Sequence, residues 1–183
     1  MNAVEPIRGK NAIEDLGEVL RKYSERDYVL YYTGIYLGRR ISDILPLKVK
    51  DVRNKKYVYF REAKKNKESN IEINPKLKKI FTEYIADKED NEYLFPPLKG
   101  NKNRYICRQQ YWKILNKAAK ELGYECKIGC HSLRKTLGRT LYEQGIDVTV
   151  IMLILNHDSV NYTKRYIGVT ADEINDVLSK VRL

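Results

Sequence analysis

Only two histidines occur among the 183 residues, and both fall in the last third of the chain. His131 opens the run His-Ser-Leu-Arg, which places Arg134 three residues later. On a helix that spacing sets the two side chains next to each other on one face. His157 closes the apolar run IMLILNH and precedes Tyr166 by nine residues in NHDSVNYTKRY. Groups of these types suit transfer of a phosphodiester without a metal. The transition state needs fixed positive donors on its non-bridging oxygens. The attacking hydroxyl must lose a proton, and the departing sugar oxygen must gain one. Arginine meets phosphate oxygens in pairs through a planar fork that stays charged. Histidine and lysine handle protons, and tyrosine offers a phenol as covalent nucleophile. Taken singly, each residue also has a plain reading. His-x-x-Arg can be a capped helix start with a solvated arginine, and His157 a cation finishing a helix. Tyr166 competes with Tyr162 in a chain holding fifteen tyrosines.

The elements that must hold these groups can be traced along the chain. Residues 1–10 lack periodicity and read as an extended arm, and no linker divides the rest. Ile13, Leu16 and Leu20 recur at helical spacing. Tyr28 to Leu37 forms a second apolar stretch, and Ile41, Ile44 and Leu45 mark a short third helix that Pro46 ends or bends. Residues 56–61 and 71–74 read as two short strands, joined by the polar, lysine-rich loop AKKNKESN. Asn74 then looks like an N-cap with Pro75 at the first helical position. The stripe Leu77, Ile80, Phe81, Tyr84 and Ile85 that follows is helical. Tyr111, Leu115, Ala118 and Leu122 define another helix, stopped by Gly123, and Leu133, Leu137 and Leu141 the next, stopped by Gly145. Asp147 caps a short apolar helix through Ile151 to Leu155. Thr170 and Glu173 form a capping box for a last helix with the stripe Ile174, Val177, Leu178 and Val181. The fold class expected is α+β, mainly α, with one small sheet.

Composition narrows the partners. With 35 basic and 24 acidic residues the net charge is +11, which favours a polyanion, nucleic acid or an anionic membrane surface. No apolar run approaches the roughly 20 residues a bilayer span needs, and MNAVEPIRGK is neither a signal peptide nor a transit sequence. Cys107, Cys126 and Cys130 make no disulfide framework and fit a reducing cytoplasm. Cys126, Cys130 and His131 match no common zinc spacing, so no metal is expected. Basic residues gather in two clusters. Lys48, Lys50, Arg53, Lys55 and Lys56 form one, and Lys99, Lys102, Arg104 and Arg108 the other. Both suit sequence-neutral contacts to a phosphate backbone.

The segment HSLRKTLGRTLYEQGIDVTVIMLILNHDSVNYTKRYIGV resembles the C-terminal signature of the tyrosine recombinases, or phage integrases. That family shows His-x-x-Arg, a later Gly-His, and a nucleophilic tyrosine nine residues beyond the second histidine. LGRRISDILPLKVKDV resembles its T-G-x-R-x-S-E-L block, with Arg40 rather than Arg39 in the arginine position and Asp43 where a glutamate is usual. YVYFREAKKNKESNIEI resembles the hairpin that holds the family's lysine. Register favours Lys64, with Lys65 and Lys67 as further candidates. Departures flank these groups: Leu37-Gly38 stands for Thr-Gly, Asn156-His157 for Gly-His, and Ser69 and Glu72 for the hairpin's arginine and proline.

The resemblance implies the DNA breaking-rejoining catalytic fold, a helical bundle with a small antiparallel sheet, over residues 11–183, with 170–183 as a tail helix. Relatives add an N-terminal core-binding domain, which is expected to be absent. The tail of a relative docks on a neighbouring subunit; here its stripe could equally pack on its own domain. The implied mechanism uses Arg40 and Arg134 to clamp the scissile phosphate. His131 assists proton removal from Tyr166, Lys64 protonates the departing 5′ oxygen, and His157 donates a hydrogen bond to the phosphate. Asp43 supports, and Lys48, Lys50, Arg53, Lys65, Lys67, Lys102, Arg104 and Arg108 contact the DNA backbone. Neither cofactor nor ATP is implied. The expected partners are double-stranded DNA and further copies of the chain, as a tetramer on DNA, with no membrane. Two alternatives share parts of this pattern: a type IB topoisomerase, and a non-catalytic DNA-binding module of the same fold.

Overall fold

The structure, a computed structural model, describes residues 4–62, 67–125, 128–170 and 179. Helix α1 (Lys10–Tyr23) leads through a one-residue joint into α2 (Glu25–Leu37). Ser24 makes that joint sharp. Its side chain accepts from the Asp27 N–H as the N-cap of α2, and its hydroxyl donates to Asp27 Oδ2 at 2.8 Å. Helix α2 is the central element, with Val29, Leu30, Tyr31, Thr33, Ile35 and Leu37 all buried, and it packs against α1 and the later helices α4 (Pro75–Tyr84) and α6 (Cys130–Glu143). A helix apolar on most of its circumference has no solvent face to offer and belongs inside a bundle.

Gly38 ends α2 at φ 56°, the left-handed conformation that a residue without Cβ adopts at no steric cost. The chain then enters the four-residue helix α3 (Ile41–Ile44) and a 3-10 turn at Val49–Asp51. Strands β1 (Tyr57–Glu62) and β2 (Lys67–Glu72) form a two-stranded antiparallel sheet in which Tyr57 faces Glu72 and Phe60 faces Ser69. Val58 and Phe60 alternate into the core while Tyr59 points out. The fold class is thus the one expected, while the strand bounds differ: β1 runs Tyr57–Glu62 rather than 56–61, and β2 Lys67–Glu72 rather than 71–74. Residues 67–70, expected in the loop, are strand, because the backbone pairing with β1 continues past the apolar Ile71.

Asn74 caps α4 as anticipated, accepting from the Lys76 N–H at 2.9 Å. Helix α5 (Arg108–Glu121) buries Tyr111, Leu115 and Ala118, and α6 follows it. Helix α7 (Val148–Ile154), capped by Asp147, and α8 (Val160–Ile167) complete the described helices. Helix α8 was not anticipated, and it carries Tyr166. Residues 4–8 have no regular structure, and they are docked. Ile7 is buried, and its N–H donates to Thr136 Oγ1 on α6 at 2.9 Å. The expected tail helix falls outside the described residues except for Thr170 and Ser179. Among the described residues no helix is long and apolar enough to cross a membrane.

Candidate active site

Two open cavities stand out. The larger, about 770 Å³, lies between α1, α2, α4 and α6 and is walled by Tyr28, Tyr32 and Tyr36, with neither histidine at its surface. The smaller, about 410 Å³, gathers Arg40, His131, Arg134, His157 and Tyr166. Its floor is α6, its flanks are the α2–α3 turn and the turn after α7, and α8 closes it.

Arg134 organises this hollow. Its residue is only 5% exposed, and its Nη1 donates to the Gly38 carbonyl at 2.7 Å while Nη2 donates to the Leu155 carbonyl. Both partners are neutral, so the buried positive charge is held in place without being cancelled. Burial pulls its pKa down, yet an arginine remains charged at any working pH. A fixed, desolvated cation facing a cavity is what an anionic ligand requires. Arg40 N-caps α3 and reaches the same cavity, whereas Arg39 turns its guanidinium over the Phe60 ring at 5.9 Å. The two adjacent arginines therefore face different surroundings.

His157 is presented by the end of α7. Its N–H bonds the Met152 carbonyl at 2.9 Å and the Asn156 N–H bonds Leu153 at 3.0 Å, a Schellman ending whose left-handed residue is Asn156 at φ 48°. Asparagine is among the few residues with a Cβ that tolerate this conformation, which accounts for Asn-His in place of Gly-His. The imidazole Nδ1 lies 3.1 Å from Thr163 Oγ1. Burial and then the charges of Arg134 and Arg40 depress its pKa to about 4, against a smaller opposite pull from Asp158. His131, in the first turn of α6, is lowered too, by burial and then by Arg108, Arg134, Arg40 and Lys135.

Tyr166 sits on α8 beside Arg134 of the same chain. Its hydroxyl is shut off from solvent beside the Arg134 guanidinium, and its ring meets His157 edge-on at 4.7 Å and stacks on Tyr162 at 5.8 Å. Burial raises the phenol pKa, and the Arg134 charge opposes that rise. Helix α8 can lie so close because of Gly138 on α6, where a Cβ would stand 2.6 Å from Ile167 Cγ2 and 3.0 Å from Leu155 Cδ1.

The remaining sequence candidates scatter. Asp43 is exposed on α3 outside the cavity, accepting from Ser42 Oγ at 3.3 Å. Lys64 and Lys65 lie outside the described residues, and Lys67 opens β2. Lys48 sits over the Tyr93 ring and Lys50 donates to Asn91 at 3.1 Å. Arg53 pairs with Asp90 at 2.7 Å and donates to the Ile85 and Lys88 carbonyls, so it braces the segment after α4. Lys102 and Arg104 are exposed, and Arg108, exposed at the start of α5, is the charge that weighs most on His131. Sequence reasoning missed Tyr162, which it treated only as a rival of Tyr166, and Thr163. The signal for both was Ser159, an N-cap, followed by Thr163 and Ile167 at helical spacing with Gly168 after them.

Comparison with known proteins bears on the family and the fold. Residues 10–173 match the phage integrase family. The chain is 42% identical over 172 residues to the probable integrase/recombinase YoeC of Bacillus subtilis, covering 94% of this chain and 93% of that protein. With the tyrosine recombinase XerA of Pyrococcus furiosus it shares 27% over 173 residues, 93% of this chain but 60% of that one. Among solved structures, a crystal structure of XerA recombinase superposes with a TM-score of 0.77 at 21% identity, over 99% of this chain and 67% of the other. XerH site-specific recombinase, bound to its difH substrate after cleavage, gives 0.70 at 19%, over 98% and 54%. These structural likenesses show the fold, and the match along residues 10–173 goes further: the chain belongs to the phage integrase family.

Proposed function

We propose that this chain cuts and rejoins DNA strands through a covalent 3′-phosphotyrosyl link at Tyr166, as the catalytic part of a site-specific recombinase. The observation that carries the reading is a phenol packed against a buried, uncancelled arginine in a hollow that also holds Arg40 and both histidines. In the proposed reaction Arg40 and Arg134 hold the scissile phosphate, and His131 draws the phenol proton. The phenolate oxygen then attacks phosphorus in line, and the bond to the 5′ oxygen breaks. Lys64 gives that oxygen a proton, and His157 contributes a hydrogen bond to the phosphate. The 5′ hydroxyl so formed, or one from a partner strand, reverses the step, and the phosphodiester energy is conserved in the link without ATP.

DNA as substrate accords with the net charge of +11 and with XerH, solved on difH. A multimer on DNA, expected as a tetramer, and action in the cytoplasm belong to the same reading. Incubation with duplexes nicked near the cleavage point, where the released fragment diffuses away, traps the covalent intermediate. Mass mapping is expected to find the adduct on Tyr166, and Tyr166→Phe to form none; an adduct in that variant would end the proposal. With intact two-site substrates the expected readout is strand exchange. Relaxation of supercoils alone would select the topoisomerase alternative.

A further inference from the structure

Thr163 has no part in the reaction as written, yet its environment is unusual for a threonine. It is fully buried at 0% exposure, one turn before Ile167 on the helix that carries Tyr166. Its hydroxyl donates to the Ser159 carbonyl one turn back, at 2.9 Å. A hydroxyl has a single hydrogen, so once this is spent the oxygen can only accept. The group in accepting range is His157 Nδ1, at 3.1 Å. The remaining face of the imidazole is walled by aromatic rings, with Tyr162 edge-on at 4.8 Å and Tyr166 edge-on at 4.7 Å.

We propose that Thr163 is a positioning residue that fixes the tautomer of His157: it accepts the Nδ1 hydrogen and leaves Nε2 as the nitrogen offered to the cavity, carrying a lone pair. The inference rests on the reaction proposed above and refines one part of it. Which ring nitrogen of a catalytic histidine carries the proton is set by the hydrogen bond the other one makes. With Nδ1–H committed to Thr163, a neutral His157 cannot donate to a phosphate oxygen. It does so only after gaining a proton on Nε2.

The groups facing the ring favour that uptake only when an anion is present. Burial first, and then Arg134 on α6 and Arg40 at the α2–α3 turn, keep the empty site's imidazole neutral, Asp158 beside it pulls weakly the other way, and Tyr162 and Tyr166 of α8 meet it edge-on. A phosphate seated on the arginines offsets their charge and turns the same imidazole into a double donor, Nδ1 to Thr163 and Nε2 to the phosphate. Thr163 thereby makes His157 a donor conditional on substrate.

The test uses the fact that the chain has two histidines. Long-range ¹⁵N–¹H NMR correlations on the whole chain at neutral pH, with the signals assigned through His131→Gln, read the tautomer of His157 directly. The expected result is a protonated Nδ1 and a bare Nε2. Thr163→Val keeps the shape but loses the acceptor, and it is expected to move the ring toward the Nε2–H form that free imidazoles prefer. Thr163→Ser is expected to keep the native form. In single-turnover cleavage of a nicked duplex, Thr163→Val is expected to slow adduct formation about five- to tenfold, because a neutral Nε2–H donates to phosphate more weakly than the imidazolium whose Nδ1–H Thr163 accepts, with unchanged DNA affinity and with Thr163→Ser restoring the rate. A native ring already protonated on Nε2, or a tautomer unmoved by Thr163→Val, overturns the inference. So does unchanged cleavage by that variant. If no form of the chain cleaves, the proposed reaction fails while the NMR still decides the role of Thr163.

Discussion

Gly138 is where the position of the proposed nucleophile, Tyr166, can be tested without touching any group of the proposed reaction. In Gly138→Ala the added methyl would stand 2.6 Å from Ile167 Cγ2 and 3.0 Å from Leu155 Cδ1, both well inside ordinary contact. Neither neighbour is the loose end of a surface side chain; both are fully buried at 0% exposure. Relief must come from α8 and the α7 ending moving off α6 by something near 1 Å. Overpacking of this kind costs about 1–3 kcal/mol. Alanine in a helix interior returns roughly 0.5–1 kcal/mol relative to glycine. The net loss is then about 0–2.5 kcal/mol, a fall of up to roughly 10 °C in melting temperature for a domain of this size. The rate is expected to suffer more. Ile167 adjoins Tyr166, and Leu155 supplies a carbonyl to Arg134, so the shift separates phenol from guanidinium. A misplacement of about 1 Å costs on the order of a hundredfold. The assay is single-turnover adduct formation on a nicked duplex at saturating protein, beside a melting scan and a binding isotherm. The expected pattern is a large rate loss with near-native DNA affinity and a modest drop in melting temperature. A variant that cleaves at the native rate would refute the argument that Gly138 sets the reach of α8.

Two further outcomes follow from charge. His157 is held neutral down to about pH 4, against 6.5 for an ordinary histidine. Between those values the unfolded chain takes up a proton that the folded site refuses, so this group lowers stability as the pH falls from about 6.5 to about 4 and adds nothing further below that. His131 acts in the same direction. Melting scans across that window should show a shallower decline for His157→Gln than for the native chain, and equal slopes would refute the assignment. DNA affinity is expected to fall steeply with salt. Replacing Lys102 and Arg104, both exposed, with alanine should reduce the log–log salt slope by about 2; an unchanged slope would remove that loop from the interface.

Much of this arrangement was legible in the residues, and the failures have physical reasons. Spacing alone pairs His131 with Arg134 on one face of α6, and it was the likeness to the phage integrase signature that added His157 and Tyr166 to them. The choice of Arg40 over Arg39 came from the register of the block that resembles the family; in the fold the cavity faces Arg40, while Arg39 lies over the Phe60 ring. Helix α8 escaped notice because its buried side is narrow. Thr163 and Ile167 are its fully buried residues, and the tyrosines on either side mask a stripe that depends on a hydroxyl. The start of β2 was missed because Lys67 to Asn70 have no strand preference of their own and are extended by pairing with β1. Thr163 was missed for a related reason: its contact with His157 runs from α8 back to the turn after α7, a meeting that helical spacing does not reveal.

The hold of Arg134 on the Gly38 and Leu155 carbonyls has one more consequence. The same side chain is a rivet joining three stretches of backbone and the anchor for whatever negative group enters the hollow. Thermodynamic reciprocity then applies: a guest that tightens the anchor also tightens the rivet, and slack at either joint is felt by the guest. Even a plain inorganic oxyanion should therefore make the empty domain stiffer, long before any strand is cut.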